Sequence, residues 1–409
     1  MAGRIFVTGL GIISGIGNNL HETLHSLIHS RSGIGDIKYL ETHLKGQIPV
    51  SEVKLTNSKL FNIAGITEQK GYSRNALLGI IAAREAFSHS QSRRTDKFKT
   101  GLISATTVGG MDKCELYYGD FLTNDSRNVY IDSYDCADST EKIADILGIT
   151  DYLTTISTAC SSSANAILLG ARMIRNGLLD RVVAGGTESL TGFHLSGFSA
   201  LKILDKEPCK PFDAGRNGIT LGEGAAYLVL ESEEAVKLTD KPVICELVGW
   251  GNACEAFHQT ASSPDGIGAY LAMQKALKIS SLSPCDIDYI NAHGTGTDNN
   301  DIAEGRAIEK LFGNRIPKIS STKPFTGHTT SAAGSTEAII TILAILNKMI
   351  WPNLNLKEPM SELSFSAVTE LLTNVNVNIV MSNSFGFGGN DTCLIFRRVD
   401  GRWRIEDGR

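Results

Sequence analysis

No two cysteines stand in a CxxC pair anywhere in this 409-residue chain. The eight present, at 114, 136, 160, 209, 245, 254, 285 and 393, show no clustered Cys/His spacing that a structural zinc would need. Scattered thiols of this kind suit a reducing compartment and read first as small buried hydrophobes. A long hydrophobic run is also missing. The longest clean stretch, AIITILAIL at 338–346, is far short of the roughly 18 residues a membrane span requires, so no membrane partner is expected. The amino-terminal stretch MAGRIFVTGLGIISGIGNN is broken by glycine and lacks the continuous apolar centre of a secretion signal, which leads to a cytoplasmic expectation. No Lys/Arg block adjoins an amphipathic stretch, and a formal charge of -5 gives no basic field to attract nucleic acid. Low-complexity segments and long flexible linkers are absent too. The most polar stretch, SHSQSRRTDKFK at 88–99, reads as a surface loop.

At 42% hydrophobic and 20% charged, the chain is long enough to bury a large core or two packed halves. Short β-rich runs alternate with longer helical ones: RIFVTGLG, a helix near 72–88, GLISATTVGG, TISTAC, a helix to Gly177, RVVAGGTES and AAYLVLES. After a charged connection at 231–242 the rhythm restarts with VICELVGWG, a helix near 268–278, IDYINAHGTGT, a helix near 300–311, KISSTK, a helix near 332–348 and CLIFRR. This is an α/β pattern with mostly parallel strands covered on both faces. The restart suggests an internal duplication divided near residue 245, into a half at 1–244 and a half at 245–409. Two local echoes support it. LGEGAAYLVLE and FGFGGNDTCLIFR each set a glycine-rich turn before an apolar strand, and GLISATTVGG and IDYINAHGTGT each run a strand into a Thr/Gly turn.

Cys160 closes TISTAC where a strand hands over to ANAILLGARMIR, a segment apolar around most of a helical circumference and stopped by Asn176-Gly177. At such a junction a sulfur meets unpaired backbone N–H groups and the positive end of the helix dipole, which favour thiolate and could also hold an oxyanion. The alternative is a packed core cysteine. His293 in NAHGTGT and His328 in STKPFTGHTTSAAG sit at two further strand ends, and ligand sites assemble at the carboxyl ends of parallel strands. Cys160, His293 and His328 are therefore expected to converge. Lys323 would be unfavourable to bury alone, and Glu337 on the following helix is its candidate partner; an exposed pair of little consequence is the other reading.

TACSSS, NAHGTGT, Lys323-Pro-Phe-Thr-Gly-His328 with its following AAG, and NSFGFGG at 383–389 together resemble the motif blocks of the β-ketoacyl-acyl carrier protein synthases of the thiolase superfamily. The likeness is to the elongating, synthase I/II-like branch and runs from VTGLG at 7–11 to the closing CLIFRR strand. It implies the thiolase fold, a five-layered αβαβα arrangement of two related halves. It also implies a decarboxylating Claisen condensation in fatty acid, polyketide or aryl-polyene-type biosynthesis. By this resemblance Cys160 is the acyl-carrying nucleophile, His293 and His328 stabilise the malonyl-derived enolate, and Lys323 and Glu337 form a supporting ion pair beside His328. The amides of Cys160 and Phe387 would form a second oxyanion hole, with Phe387 as the gate. Thr295 and Thr297 would contact the phosphopantetheine arm, and Val108 and Phe385 would border the substrate. Lys70, Arg74, Lys202 and Lys206 are candidates for docking an acidic acyl carrier protein. No cofactor is expected to be bound permanently, since phosphopantetheine arrives on the carrier, and no metal is expected. A homodimer is expected, with a heterodimer containing a related subunit as the alternative.

The chain departs from the family pattern in three places. GFGG continues with Asn390-Asp391 rather than Thr-Asn, the segment at 200–213 is short, and the residues before Cys160 lack the usual Arg-Gly-Pro. Chain length and pathway remain open on these grounds. A thiolase would need a second cysteine where NSFGFGG stands, and a degenerate chain-length partner would lack Cys160. A dinucleotide-binding enzyme would need GxGxxG, whereas Gly9-Leu10-Gly11 is followed by Ser14 and Gly15.

Overall fold

The computed structural model describes residues 3–67, 70–92 and 97–399; residues 93–96 of the polar stretch at 88–99, and 400–409 of the second half, lie outside the described residues. The first half contributes β1 (Ile5–Ser14), β2 (Thr100–Ala105), β3 (Tyr152–Ile156), β4 (Arg181–Glu188) and β5 (Gly224–Ser232). The second contributes β6 (Cys245–Cys254), β7 (Tyr289–Asn291), β8 (Lys318–Ser320), a small pair β9 (Met349–Ile350) and β10 (Leu372–Thr373), β11 (Ile379–Gly386) and β12 (Asn390–Arg398). Apart from β9 and β10, the strands run β3-β2-β4-β5-β1-β6-β12-β11-β7-β8.

Read outward from the central β1–β6 contact, both halves have the order first, fifth, fourth, second, third. Directions repeat as well: the first, fifth and fourth strands of each half pair antiparallel, and the fourth, second and third pair parallel. The echoes noted above, β5 with β12 and β2 with β7, are therefore topologically equivalent strands. The expectation of a mostly parallel sheet is corrected to a mixed one. Its cause is visible at β11 and β12, where Gly386 faces Asn390 across a turn of three residues, too short for a crossover and so necessarily a hairpin. The β11 strand, hidden inside NSFGFGG, had not been read as a strand.

Six helices complete the layers: α1 (Arg74–His89), α2 (Cys136–Leu147), α3 (Ser162–Arg175), α4 (Ile267–Ser280), α5 (Asp298–Phe312) and α6 (Ala333–Asn347). In β5, Ala225, Tyr227 and Val229 pack outward with α1 and α2, while Ala226, Leu228 and Leu230 pack inward with α3 and α6. In β12, Cys393 and Ile395 face outward to α4 and α5, while Leu394 and Phe396 face the same inner layer. The period-2 alternation of each strand thus supplies two cores, and the order across the molecule is αβαβα.

The inner layer explains the apolar character of α6, in which every residue from Ala333 to Ile345 is buried. The segment Thr330–Asn347 has the length and composition to cross a membrane, but 89% of it is buried inside the fold, as a central helix must be. Gly334 brings the starts of α3 and α6 together, since a Cβ there would lie 2.7 Å from the backbone nitrogen and the Cβ of Ala164. Two equivalent strand-to-helix junctions, β3 to α3 and β8 to α6, therefore meet at one point.

Candidate active site

Cys160 lies in the β3–α3 junction, His328 in the β8–α6 junction and His293 just past the end of β7. The Cys160 sulfur and ring nitrogens of both histidines all lie within 4.8 Å of one another, and all three residues are buried. The convergence expected from strand ends is what the fold produces.

Each imidazole is held in one tautomer from behind. The Thr330 backbone N–H donates to His328 Nδ1 at 3.1 Å, and Lys323 Nζ lies 3.1 Å from His293 Nδ1. Burial holds both imidazoles well below the usual histidine range; the Lys323 charge adds to this for each, and each feels a neighbouring histidine as well, His328 acting on His293 and His194 on His328. A neutral ring whose Nδ1 accepts must carry its proton on Nε2, so each offers an N–H. Cys-His-His is a set that could ligate a metal, but a metal-bound imidazole is backed by an acceptor on its far nitrogen. Here both backing groups are donors, which suits hydrogen bonding to a developing oxyanion.

Lys323 donates to Glu337 and to the His293 carbonyl oxygen, so the ion pair is buried, with side-chain exposures of 1% and 2%. Burial pushes the Glu337 carboxyl up to about 7 against the pull of Lys323. Lys323, the first residue of the short helix Lys323–Thr326, makes its ring contact with His293, and its charge acts on His328 as well.

The thiol also differs from expectation. Burial dominates and pushes Cys160 up to about 11, although Lys323 and the backbone N–H groups of Phe387 and Cys160 itself pull the other way. Those two amides are present, but desolvation outweighs them and favours the thiol over the thiolate. Ala159, immediately before it, has φ +52, a left-handed turn that aims the following amide at the sulfur.

A cavity of about 260 Å³ opens onto the triad and is lined also by Thr295, Thr297, Phe385, Phe387, Phe198 and Lys202. Val108 is buried and does not border this cavity. Lys70 and Lys206 are exposed. Arg74 is corrected as a docking candidate: it is 8% exposed, pairs with Glu223 at 2.6 Å and spends its remaining donors on Val53, Leu55 and Asn57, leaving no guanidinium at the surface.

Three groups of residues escaped the sequence reading. Asp301 accepts from the Thr295, Gly296 and Phe212 amides, and Glu304 from the His293 and Gly294 amides and Asn383, so α5 holds the NAHGTGT turn in shape. Two carboxylates three residues apart in the helix directly after the motif were the available signal. Phe198 stacks on Phe387, with centroids 5.9 Å apart and planes at 21°. Asn390 gathers Asn165, Asn252 and Ser161 around its Oδ1. Asp391 is 2% exposed and so lies beneath the loop, away from the cavity mouth.

Comparison with known proteins agrees with this geometry. Residues 2–235 match the family description "Beta-ketoacyl synthase, N-terminal domain" and residues 244–357 "Beta-ketoacyl synthase, C-terminal domain". The chain is 31% identical over 418 residues to 3-oxoacyl-[acyl-carrier-protein] synthase 2 of Staphylococcus aureus (strain N315), covering 97% of this chain and 99% of the relative. Among solved structures, the ishigamide ketosynthase/chain length factor superposes with a TM-score of 0.92 at 28% identity, over 98% of this chain and 100% of the other. A ketosynthase in complex with its chain length factor from Xenorhabdus doucetiae gives 0.85 at 28% identity, over 97% and 98%.

Proposed function

Since the chain belongs to the β-ketoacyl synthase family, we propose that Cys160, His293 and His328 carry out its reaction in two half-steps at one site. The enzyme is a condensing acyltransferase, and its reaction is a decarboxylating Claisen condensation in fatty acid or polyketide synthesis.

In the first half-step the Cys160 sulfur attacks an acyl thioester delivered by acyl carrier protein. The new C–S bond forms, the pantetheine C–S bond breaks, and the thiol proton ends on the departing sulfur. The Cys160 and Phe387 amides, which already point at the sulfur, would hold the carbonyl oxygen of the tetrahedral intermediate. In the second half-step malonyl-carrier protein loses carbon dioxide, and the electron pair of the broken C–C bond becomes an enolate. The two Nε2–H groups stabilise its oxygen without changing protonation state, because burial keeps both rings neutral. The enolate carbon attacks the Cys160 thioester, and the thiolate released takes up a proton. Thr295 and Thr297, whose hydroxyls lie 2.9 Å apart on the cavity wall, suit contact with the pantetheine arm.

The observation that carries this reading is a thiol and two N–H-bearing imidazoles within 4.8 Å of one another on a cavity wall. Phosphopantetheine arrives with the carrier, and Lys202 at the cavity is the basic residue best placed to meet it. The presence of Cys160 favours the nucleophile-bearing role over that of a chain-length partner, and the likeness to ketosynthases joined to chain length factors suits either a homodimer or a pairing with a related subunit. A cytoplasmic location fits the eight unpaired cysteines. The test is intact-protein mass spectrometry with acyl-carrier proteins of several chain lengths, followed by malonyl-carrier protein. An adduct on Cys160 that discharges only on malonyl addition supports the scheme. No adduct with any donor, with or without a related subunit, would refute it.

A further inference from the structure

The loop that carries Phe387 is held at both ends on the nucleophile side, and along its middle the Gly388 N–H donates to the Gln259 carbonyl at 2.8 Å while the Gly389 carbonyl accepts from the Glu255 N–H at 3.1 Å. At its start, a Cβ on Gly386 would lie 2.9 Å from the Thr158 carbonyl oxygen and 3.2 Å from Ser161 Oγ, so the chain rests directly on the turn that bears the nucleophile. At its tip, Gly388 has φ +81 and open space where a Cβ would be. At its end, Asn390 Oδ1 accepts from Asn165 Nδ2 and Asn252 Nδ2, both at 2.8 Å, with Ser161 Oγ at 3.0 Å. Asn165 is tied onward to Thr158 Oγ1 and to Thr392, and Asn252 also reaches Thr392, which closes the network.

We propose that Asn390 is a positioning residue: its side-chain oxygen tethers the Phe387 loop to the nucleophile turn and so holds the Phe387 amide in register against Cys160. The proposal rests on the condensing reading above for its catalytic consequence, and on the network alone for its structural one.

The test compares Asn390→Ala, which removes the acceptor, with Asn390→Asp, which keeps an oxygen in its place. Asn252→Ala removes the β6 arm, together with the bond that its Nδ2 gives Asn165 Oδ1 at 3.1 Å. Hydrogen–deuterium exchange of residues 157–165 and 386–392 is read beside steady-state kinetics. Asn390→Ala is expected to exchange at least tenfold faster in both segments and to lose about tenfold in kcat with KM for malonyl-carrier protein changed less than threefold. Asn390→Asp should restore both, and Asn252→Ala, which leaves the Asn165 and Ser161 bonds to Asn390 Oδ1 in place, should loosen 157–165 less than Asn390→Ala does. Should Asn390→Ala fail to fold, Asn165→Ala, which cuts the arm to α3, is expected to loosen the same two segments. Unchanged exchange at 157–165 in the Ala variant would overturn the tether, as would equal losses in Ala and Asp. A parent that forms no acyl-enzyme would count against the proposed reaction, while the exchange result would still decide the tether.

Discussion

The junctions at Cys160 and His328 occupy the same place in the two halves, third strand into inner-layer helix, yet one presents a thiol and the other an imidazole N–H. The difference lies in the length and shape of the turn. After Cys160, α3 begins at Ser162, and the amides at the sulfur are those of Cys160 itself and of Phe387. After His328 a short turn, Thr330–Ala332, intervenes before α6 begins at Ala333, and Thr330, at φ +45, supplies the amide that fixes the imidazole. The second strands differ likewise: the segment after β7 offers His293, whereas the segment after β2 offers Thr106 and Thr107, both engaged by Glu188. In the proposed reaction the repeated topology is thus divided, one half giving the attacking atom and the other the donors that receive charge.

That division can be broken one side at a time. The largest effect is expected on the nucleophile side, where Cys160→Ala should abolish acyl-enzyme formation entirely, read by intact mass. Next is the support of the donor side. Lys323→Ala leaves the Glu337 carboxyl buried without its partner and should destabilise the fold by about 3–5 kcal/mol, measured by denaturant unfolding.

The smallest effect concerns Asp391, under the loop that joins the halves' chemistry. Burial pushes its carboxyl up to about 8, with the Glu255 and Glu304 charges adding to the rise. An acid whose folded pKa is raised stabilises the fold fully below its unfolded value, and that stabilisation drains away as pH rises through about 8. Relative to the parent, Asp391→Asn should therefore gain thermal stability progressively from pH 5 to about pH 8 and level off above it. A Tm difference that stays flat with pH would place the titrating group elsewhere.

Much of this was legible before the structure. The restarted α/β rhythm and two glycine-turn echoes marked equivalent strands, and three motif residues at strand ends marked the site, because periodicity and turn chemistry are local properties. Strand direction was not legible, since an apolar run reads the same both ways; only the short 386–390 turn fixes β11 and β12 as a hairpin. Arg74 read as surface because its partner Glu223 lies 149 residues away. For the same reason, spacing could place Lys323 near the site but could not say that its ammonium would meet His293 rather than His328. The thiol's protonation was misjudged because helix-start donors are visible in sequence and desolvation is not.

The most direct test of the divided site is to load Cys160 with an acyl group in His293→Ala and His328→Ala enzymes and follow its discharge by malonyl-carrier protein in a single turnover. The expected result is acylation within a few-fold of the parent rate and discharge slowed by at least about 100-fold. Discharge at the parent rate in either variant would contradict the assignment of the donors to that histidine.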